Sequence, residues 1–346
     1  MNVICIRILY IYNSINVSRP VLALIILLKV IIKMTSYFLG EGLTHANQPT
    51  YSVSPLMIER VPSDLYFTIR GLRLHTMFWP GEGDPLVLLH ATGFHAHCWD
   101  EIIQYLPDRP VYAVDIPCHG GSEAVYPPPD WDEASEMVTE LVRQLDLRQV
   151  IAVGHSFGGH ILTQVAAAES QRFLGLLLLD PVIPHPEVLP VWQAMGSLGS
   201  VSRRRNVWAS PEEMEEAFRH RIPYNTWDAA VLRDYCRYGL IKDEDVGQFR
   251  LACPPDCEAS FYSGRGAQKV YENLPLVKMP VRILRARGWR SDDQLNDFRP
   301  SPTWPDLAAH MPNAEDIQFT ELDHFFPMSQ PRLVMEHLVE VMRVWG

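Results

Sequence analysis

The chain has no excess of basic residues. Its 30 lysines and arginines are outnumbered by 41 aspartates and glutamates, for a formal net charge of −11. Proteins that hold nucleic acid neutralise phosphates with a basic surface, so the balance argues against that class of partner. Cysteine is scarce as well: Cys5, Cys98, Cys118, Cys236, Cys253 and Cys257 are all there are in 346 residues. That density builds no disulfide framework and points to a reducing compartment. Only Cys253 and Cys257 are close-spaced, and no second pair follows to complete a zinc site. No internal repeat and no low-complexity linker interrupts the chain. A membrane-spanning helix needs about 20 consecutive apolar residues. The candidate run, Val21 to Leu28, is shorter and continues to Val30–Ile32 only across Lys29.

What is present suits one large domain with an inserted subdomain, or two domains: 346 residues, of which 47% are hydrophobic. Residues 1–34 stand apart, rich in Ile, Asn, Tyr and Val and without a clear small-residue cleavage site. They read as a weak membrane anchor, an atypical targeting segment, or sequence upstream of a start at Met34. The last is the expectation, because ordinary soluble composition begins at Met34. The location that follows is cytoplasmic, with membrane contact only if residues 1–34 are retained. Residues 35–62 read as an irregular polar arm.

From residue 65 the pattern is regular. Leu65–Arg70 and Leu72–Trp79, hinged at Gly71, predict a β-hairpin. Apolar strands at Pro85–Leu89, Val111–Asp115, Val150–His155 and Leu174–Leu179 alternate with helical patterns at Asp100–Leu106 and Trp131–Leu145. That alternation predicts an α/β fold, a mostly parallel sheet with helices on both faces. Between about 183 and 278 helical patterns occur without buried strands, at Pro211–Arg219 and Trp227–Tyr238, and the stretch carries Trp192, Trp208 and Trp227. It reads as a helical lid inserted between a first core part, 35–182, and a second, 279–346. The second part holds strands at Val281–Ala286 and Asp316–Leu322 and a last amphipathic helix at Pro331–Val344.

The chemistry centres on Gly154-His155-Ser156-Phe157-Gly158-Gly159. A β-type run leads into Gly-x-Ser-x-Gly and a small-residue helix follows at once, the context of a nucleophile elbow. A serine hydroxyl is a poor nucleophile until a base takes its proton and a third group orients the base. His324, in Asp323-His324-Phe325-Phe326-Pro327 between the last strand and the last helix, is placed to be that base. His155 flanks the serine but points away, and reads as packing.

With these motifs in order, residues 62–346 resemble the α/β-hydrolase superfamily, in its serine esterase, lipase and haloperoxidase-like branch. The matching segments are Gly-His-Ser-Phe-Gly, His90-Ala-Thr-Gly, Asp115 to Ser122, and Asp-His-Phe-Phe-Pro-Met. The resemblance implies the α/β-hydrolase fold with a helical lid, and a Ser–acid–His triad in that chain order. It puts the acid after the seventh strand, at Asp292 or its neighbour Asp293, or after the sixth, at Asp180. The commoner position favours Asp292. It implies an oxyanion hole from the backbone N–H of Phe157 and Thr92, with Gly93 as the alternative to Thr92. Ala91 stands where the family usually has glycine. Asp115, Gly120 and Ser122 read as structural, and His95, His97 and His119 lack an acidic partner at metal-ligand spacing. No metal and no organic cofactor is implied.

The expected activity is hydrolysis of a carboxylic ester or thioester of a small, apolar substrate through an acyl-enzyme. The alternatives are an acyltransferase or lyase on the same triad, or a non-catalytic ligand-binding protein of this fold. Substrate identity and oligomeric state are not legible.

Overall fold

The computed structural model describes residues 60–190, 193, 200–291, 293 and 297–346. The leader at 1–34, nearly all of the arm at 35–62, Trp192 and Asp292 lie outside the described residues. The hairpin forms as its pattern predicts: β1 (Ser63–Ile69) pairs antiparallel with β2 (Leu72–Trp79). Arg70 and Gly71 link them with φ of 52° and 84°. A two-residue turn with both φ positive has the twist that flanking strands require.

The apolar runs become β3 (Leu86–Leu89), β4 (Val111–Val114), β5 (Val150–His155) and β6 (Phe173–Leu179). With β10 (Val281–Arg285) and β11 (Ala314–Gln318) they complete an eight-stranded sheet in the order β1-β2-β4-β3-β5-β6-β10-β11. Every pair from β4 to β11 is parallel, while β1 and β2 run antiparallel at one edge. Side chains of a strand alternate between its faces. Accordingly Val87 and Leu89 join one core with α1 (Trp131–Gln144) and α2 (Phe157–Ala168), and Leu86 and Leu88 join another with α6 (Pro331–Trp345). α1 starts where it does because Asp130 caps it. The Asp130 carboxylate accepts the Asp132 and Glu133 amides at 3.1 and 3.0 Å, and Glu133 accepts the Asp130 amide at 2.8 Å.

Two sequence expectations shift. The last strand lies at Ala314–Gln318 rather than 316–322. Ile317, Phe319 and Leu322 draw the apolar pattern toward the C-terminal side. The ladder instead uses Glu315 and Asp316, which pair across to Arg282 and Arg285 on β10. The inserted stretch is also not purely helical. Beside α3 (Pro211–Phe218), α4 (Ala229–Tyr238) and α5 (Pro255–Phe261) it holds a second sheet, β7 (Val207–Trp208), β9 (Gln248–Leu251) and β8 (Leu240–Asp243), in that spatial order. These short strands are half exposed, so no buried run announces them. Trp208, Met214, Phe218, Trp227 and Tyr235 share one buried cluster with Ala91, Phe94 and Met328 of the core. Among the described residues no helix is long and apolar enough to cross a membrane.

Candidate active site

Ser156 sits at the junction of β5 and α2 with φ 56° and ψ −117°, a conformation non-glycine residues rarely adopt. The junction is held from both sides. The Ser156 N–H donates to Leu179 O on β6 at 3.0 Å, and its carbonyl accepts the Val182 amide at 3.0 Å. The next turn is crowded: a Cβ on Gly158 would lie 2.2 Å from Leu89 O, so only glycine lets α2 approach β3 this closely. Local sequence and packing thus fix a serine at the N-terminal, electropositive end of a helix.

His324 reaches Ser156 from the loop before α6. Its Nε2 lies 3.0 Å from Ser156 Oγ, and its Nδ1 lies 2.6 Å from Asp180 Oδ2. A carboxylate only accepts, so Nδ1 carries the proton and Nε2 is left as the acceptor for the serine hydroxyl. The His324 backbone is pinned as well: its N–H donates to Arg299 O at 2.7 Å, and its carbonyl accepts from His155 Nε2 at 2.9 Å. His155 is therefore a support for the His324 loop as well as packing. Burial, then the neighbouring His324 ring, push its pKa well below the ordinary value, so it stays neutral.

Asp180 ends β6, fully buried, with φ 46°. Its Oδ1 accepts the Ala286 amide at 3.0 Å, the Ser301 hydroxyl at 2.5 Å and the Thr303 hydroxyl at 3.1 Å. Among the described residues it is the carboxylate on His324. Asp292, which the sequence ranks first, lies outside the described residues. Asp293 is engaged elsewhere, paired in bidentate fashion with Arg287 at 2.7 and 2.8 Å.

The loop after β3 passes beside the serine. The Phe94 amide donates to Ala91 O at 3.1 Å, closing a turn whose third residue, Gly93, has φ 80°. That sign is what a type II turn needs, and glycine supplies it without strain. The Gly93 N–H donates to His119 Nε2 at 2.9 Å. The Thr92 N–H has no acceptor among the described residues. The Phe157 N–H belongs to the first residue of α2, so it too lacks an intrahelical acceptor. Ala91 needs no positive φ, and its methyl group is accommodated.

His90, His95 and His119 around this turn are neutral connectors. His90 donates Nδ1–H to Ala91 O at 2.8 Å and accepts the Ile116 amide on Nε2 at 3.1 Å. His119 donates Nδ1–H to Pro117 O at 3.0 Å. His95 bonds Tyr235 O at 3.1 Å, and His97 bonds Asp100 at 2.7 Å and stacks on Tyr238. Burial lowers His90 to about 3, and His95 and His119 to about 4. Asp115 is structural. It accepts from the Ala96 and Gly121 amides at 2.7 and 2.8 Å and meets His75 Nδ1 at 2.6 Å. Burial alone would raise it; the bond to His75 and the nearby His90 ring outweigh burial and hold it at about 2. Gly120, beside that carboxylate, and Ser122, bonded to Asp115 O at 2.6 Å, complete the same turn. Among the described residues no cluster of three His, Cys, Asp or Glu side chains is arranged to hold a metal ion.

Within the inserted stretch a part-buried ion pair lies against this turn. Arg204 Nη1 meets Glu258 Oε2 at 2.6 Å and Arg204 Nη2 meets the Tyr235 hydroxyl at 3.3 Å. The Glu258 carboxylate presses on Gly93, where a Cβ would lie 2.6 Å from Oε1. Phe94, Trp227, Tyr235 and Phe325 pack together with ring centroids 5.2 to 6.4 Å apart, and Phe325 meets the His324 ring edge-on at 5.5 Å.

Compared with known proteins, residues 86–337 match the alpha/beta hydrolase family. The chain is 33% identical over 111 residues to lipase LipV of Mycobacterium tuberculosis, 32% of this chain and 42% of the lipase. It is 32% identical over 106 residues to the (E)-2-((N-methylformamido)methylene)succinate hydrolase of Acinetobacter baylyi, 30% of this chain and 40% of that enzyme. The matches thus span less than half the length of these curated relatives. Among solved structures, an E-2-(acetamidomethylene)succinate hydrolase superposes with a TM-score of 0.65 at 18% identity, covering 82% of this chain and 99% of that one. A thermophilic esterase from Thermogutta terrifontis gives a TM-score of 0.56 at 18% identity, covering 81% and 98%.

Proposed function

The chain belongs to the alpha/beta hydrolase family, and from that membership we propose that it is a serine hydrolase acting on ester-type bonds. The observation that carries the reading is the chain of contacts from Ser156 Oγ through His324 to Asp180, at 3.0 and 2.6 Å. His324 Nε2 takes the Ser156 proton as Oγ attacks a carbonyl carbon, and Asp180 stabilises the imidazolium that forms. The carbonyl oxygen gains negative charge and is met by the Phe157 and Thr92 amides. One such donor contributes roughly 3–4 kcal/mol in other oxyanion holes. His324 then protonates the leaving alcohol or thiol. Water activated by the same ring attacks the acyl-enzyme, releases the acid and restores Ser156.

The geometry supports Asp180 as the acid in place of Asp292. The inserted stretch acts as a lid: it packs Trp227 and Tyr235 over Phe94 and Phe325 beside His324. Such aromatic walls favour a small, apolar acyl or alcohol group. The test is a panel of p-nitrophenyl esters and thioesters of graded chain length, run on wild type and Ser156→Ala. Hydrolysis should be best for short apolar groups and vanish in Ser156→Ala. Near wild-type turnover in Ser156→Ala would sink the reading.

A further inference from the structure

A carboxylate that orients a histidine must itself be held. Asp180 turns Oδ2 to His324 and leaves Oδ1 to three donors: the Ala286 amide, Ser301 and Thr303. The two hydroxyls are not equivalent, since each has one hydrogen to give. Thr303 Oγ1 lies closer to Pro181 O, at 2.7 Å, than to Asp180 Oδ1, at 3.1 Å, so its hydrogen is shared or spent on the carbonyl. Ser301 Oγ accepts the Thr303 amide at 3.2 Å, which occupies a lone pair and leaves its hydrogen for Asp180 Oδ1 at 2.5 Å. Ser301 is itself fixed, buried and with its N–H on Arg287 O at 2.8 Å.

We propose that Ser301 is a positioning residue, whose hydroxyl keeps the Asp180 carboxylate turned so that Oδ2 meets His324, with Thr303 in a lesser supporting part. The proposal rests on the Ser156–His324–Asp180 reading. It also gives the segment after β10 a role: instead of bearing the acid, it brings the hydroxyl that holds an acid arriving from β6. Free to rotate, Asp180 would exchange one strong bond to His324 for several weaker orientations, and the base would lose its fixed tautomer.

The experiment compares Ser301→Ala, Ser301→Thr and Thr303→Val in the full chain. It measures kcat and KM on p-nitrophenyl acetate, the rate of Ser156 labelling by a fluorophosphonate, and the thermal midpoint. Ser301→Ala should lower kcat and the labelling rate by about ten- to hundredfold, the weight of a hydrogen bond to a charged group, with KM within about twofold. Ser301→Thr keeps the hydroxyl and should recover most of the rate, and Thr303→Val should cost less than Ser301→Ala. A folded Ser301→Ala with wild-type kcat, or a Ser301→Thr as impaired as Ser301→Ala, overturns the proposal. Should Ser301→Ala fail to fold, Ser301→Cys, close in size and a far weaker donor, carries the same comparison. The underlying reading fails separately, by turnover in Ser156→Ala.

Discussion

His119 Nε2 accepts the Gly93 amide hydrogen at 2.9 Å, so one buried ring ties the turn after β4 to the turn that presents Thr92. Removing the acceptor frees the Gly93 amide and loosens the neighbouring Thr92 amide, the proposed oxyanion donor. His119→Ala should lower kcat about tenfold or more with little change in KM, within the 1–3 kcal/mol that an unsatisfied buried group costs. His119→Gln, whose side-chain oxygen can accept, should recover part of it. Steady-state kinetics on a short p-nitrophenyl ester decide; equal kcat in all three proteins would show that the bond does not matter to the turn.

The acid is tested by ranking. Asp180→Asn replaces an obligate acceptor by a group that can present an N–H to His324 Nδ1, favouring the wrong tautomer. Its kcat should fall on the order of 10⁴-fold, as the same exchange does in a serine protease triad. Asp292→Asn should leave turnover within a few-fold of wild type. The opposite ranking would return the acid to the segment after β10.

Nucleophile and base should act as one unit. Ser156→Ala and His324→Ala are each expected to remove most turnover, and the double variant should be hardly slower than either, because neither partner works alone. Multiplicative losses in the double variant would mean two independent contributions. Initial rates corrected for the uncatalysed reaction give the answer.

Acid stability follows from the buried rings. His90 sits at about 3, and His95, His119 and His160 at about 4, against an ordinary 6.5, each chiefly by burial. The unfolded chain binds protons that the folded chain refuses below pH 6.5, so stability is full above that value and falls as the pH drops toward 4. Each ring contributes about 1.4 kcal/mol per pH unit across that window. Urea midpoints measured from pH 7.5 to 4.5 should decline ever more steeply below 6, and His160→Gln should flatten the decline. A flat profile down to pH 4.5 would contradict the burial argument.

The Arg204–Glu258 pair lies within the inserted stretch, with the Glu258 carboxylate against Gly93. Arg204→Met leaves the buried Glu258 carboxyl, whose pKa burial already raises, without its partner, a loss of roughly 1–3 kcal/mol. The double variant with Glu258→Leu should regain much of that loss. Chemical denaturation of the three proteins measures both steps.

Much of this was legible in the chain. The strands on both sides of Ser156 are uninterrupted apolar runs because a parallel sheet covered on both faces has no solvent side to encode. Gly154 to Gly159 could be read because the sharp strand-to-helix turn at a strained serine needs small residues two positions to either side. His324 stood out by its place between the last strand and the last helix. The acid was not legible, since Asp180 and Asp292 both follow strands in the chain, and the contact that favours Asp180, its Oδ2 on His324 Nδ1 at 2.6 Å, exists only in three dimensions. Ser301 and Thr303 carried no signal at all: Pro300-Ser301-Pro302-Thr303 reads as an ordinary turn. The small sheet of the inserted stretch hid for a different reason, since its strands are two to four residues long and half exposed.

The order of strands in the sheet also bears on how the protein is made. β6 lies between β5 and β10, and β10 begins only at Val281, after the whole inserted stretch. On the ribosome, Phe173-Leu-Gly-Leu-Leu-Leu-Leu179 therefore emerges with one edge matched and the other bare. At about 5–20 residues per second the wait for its second neighbour is on the order of 5–20 s. A chargeless, leucine-rich edge is a template for pairing with another nascent chain. Yield from a cell should therefore depend on whether chaperones shield this edge during translation, and less on the stability of the finished enzyme. Chains interrupted within the inserted stretch should collect in the insoluble fraction even though Ser156 and Asp180 have already been made.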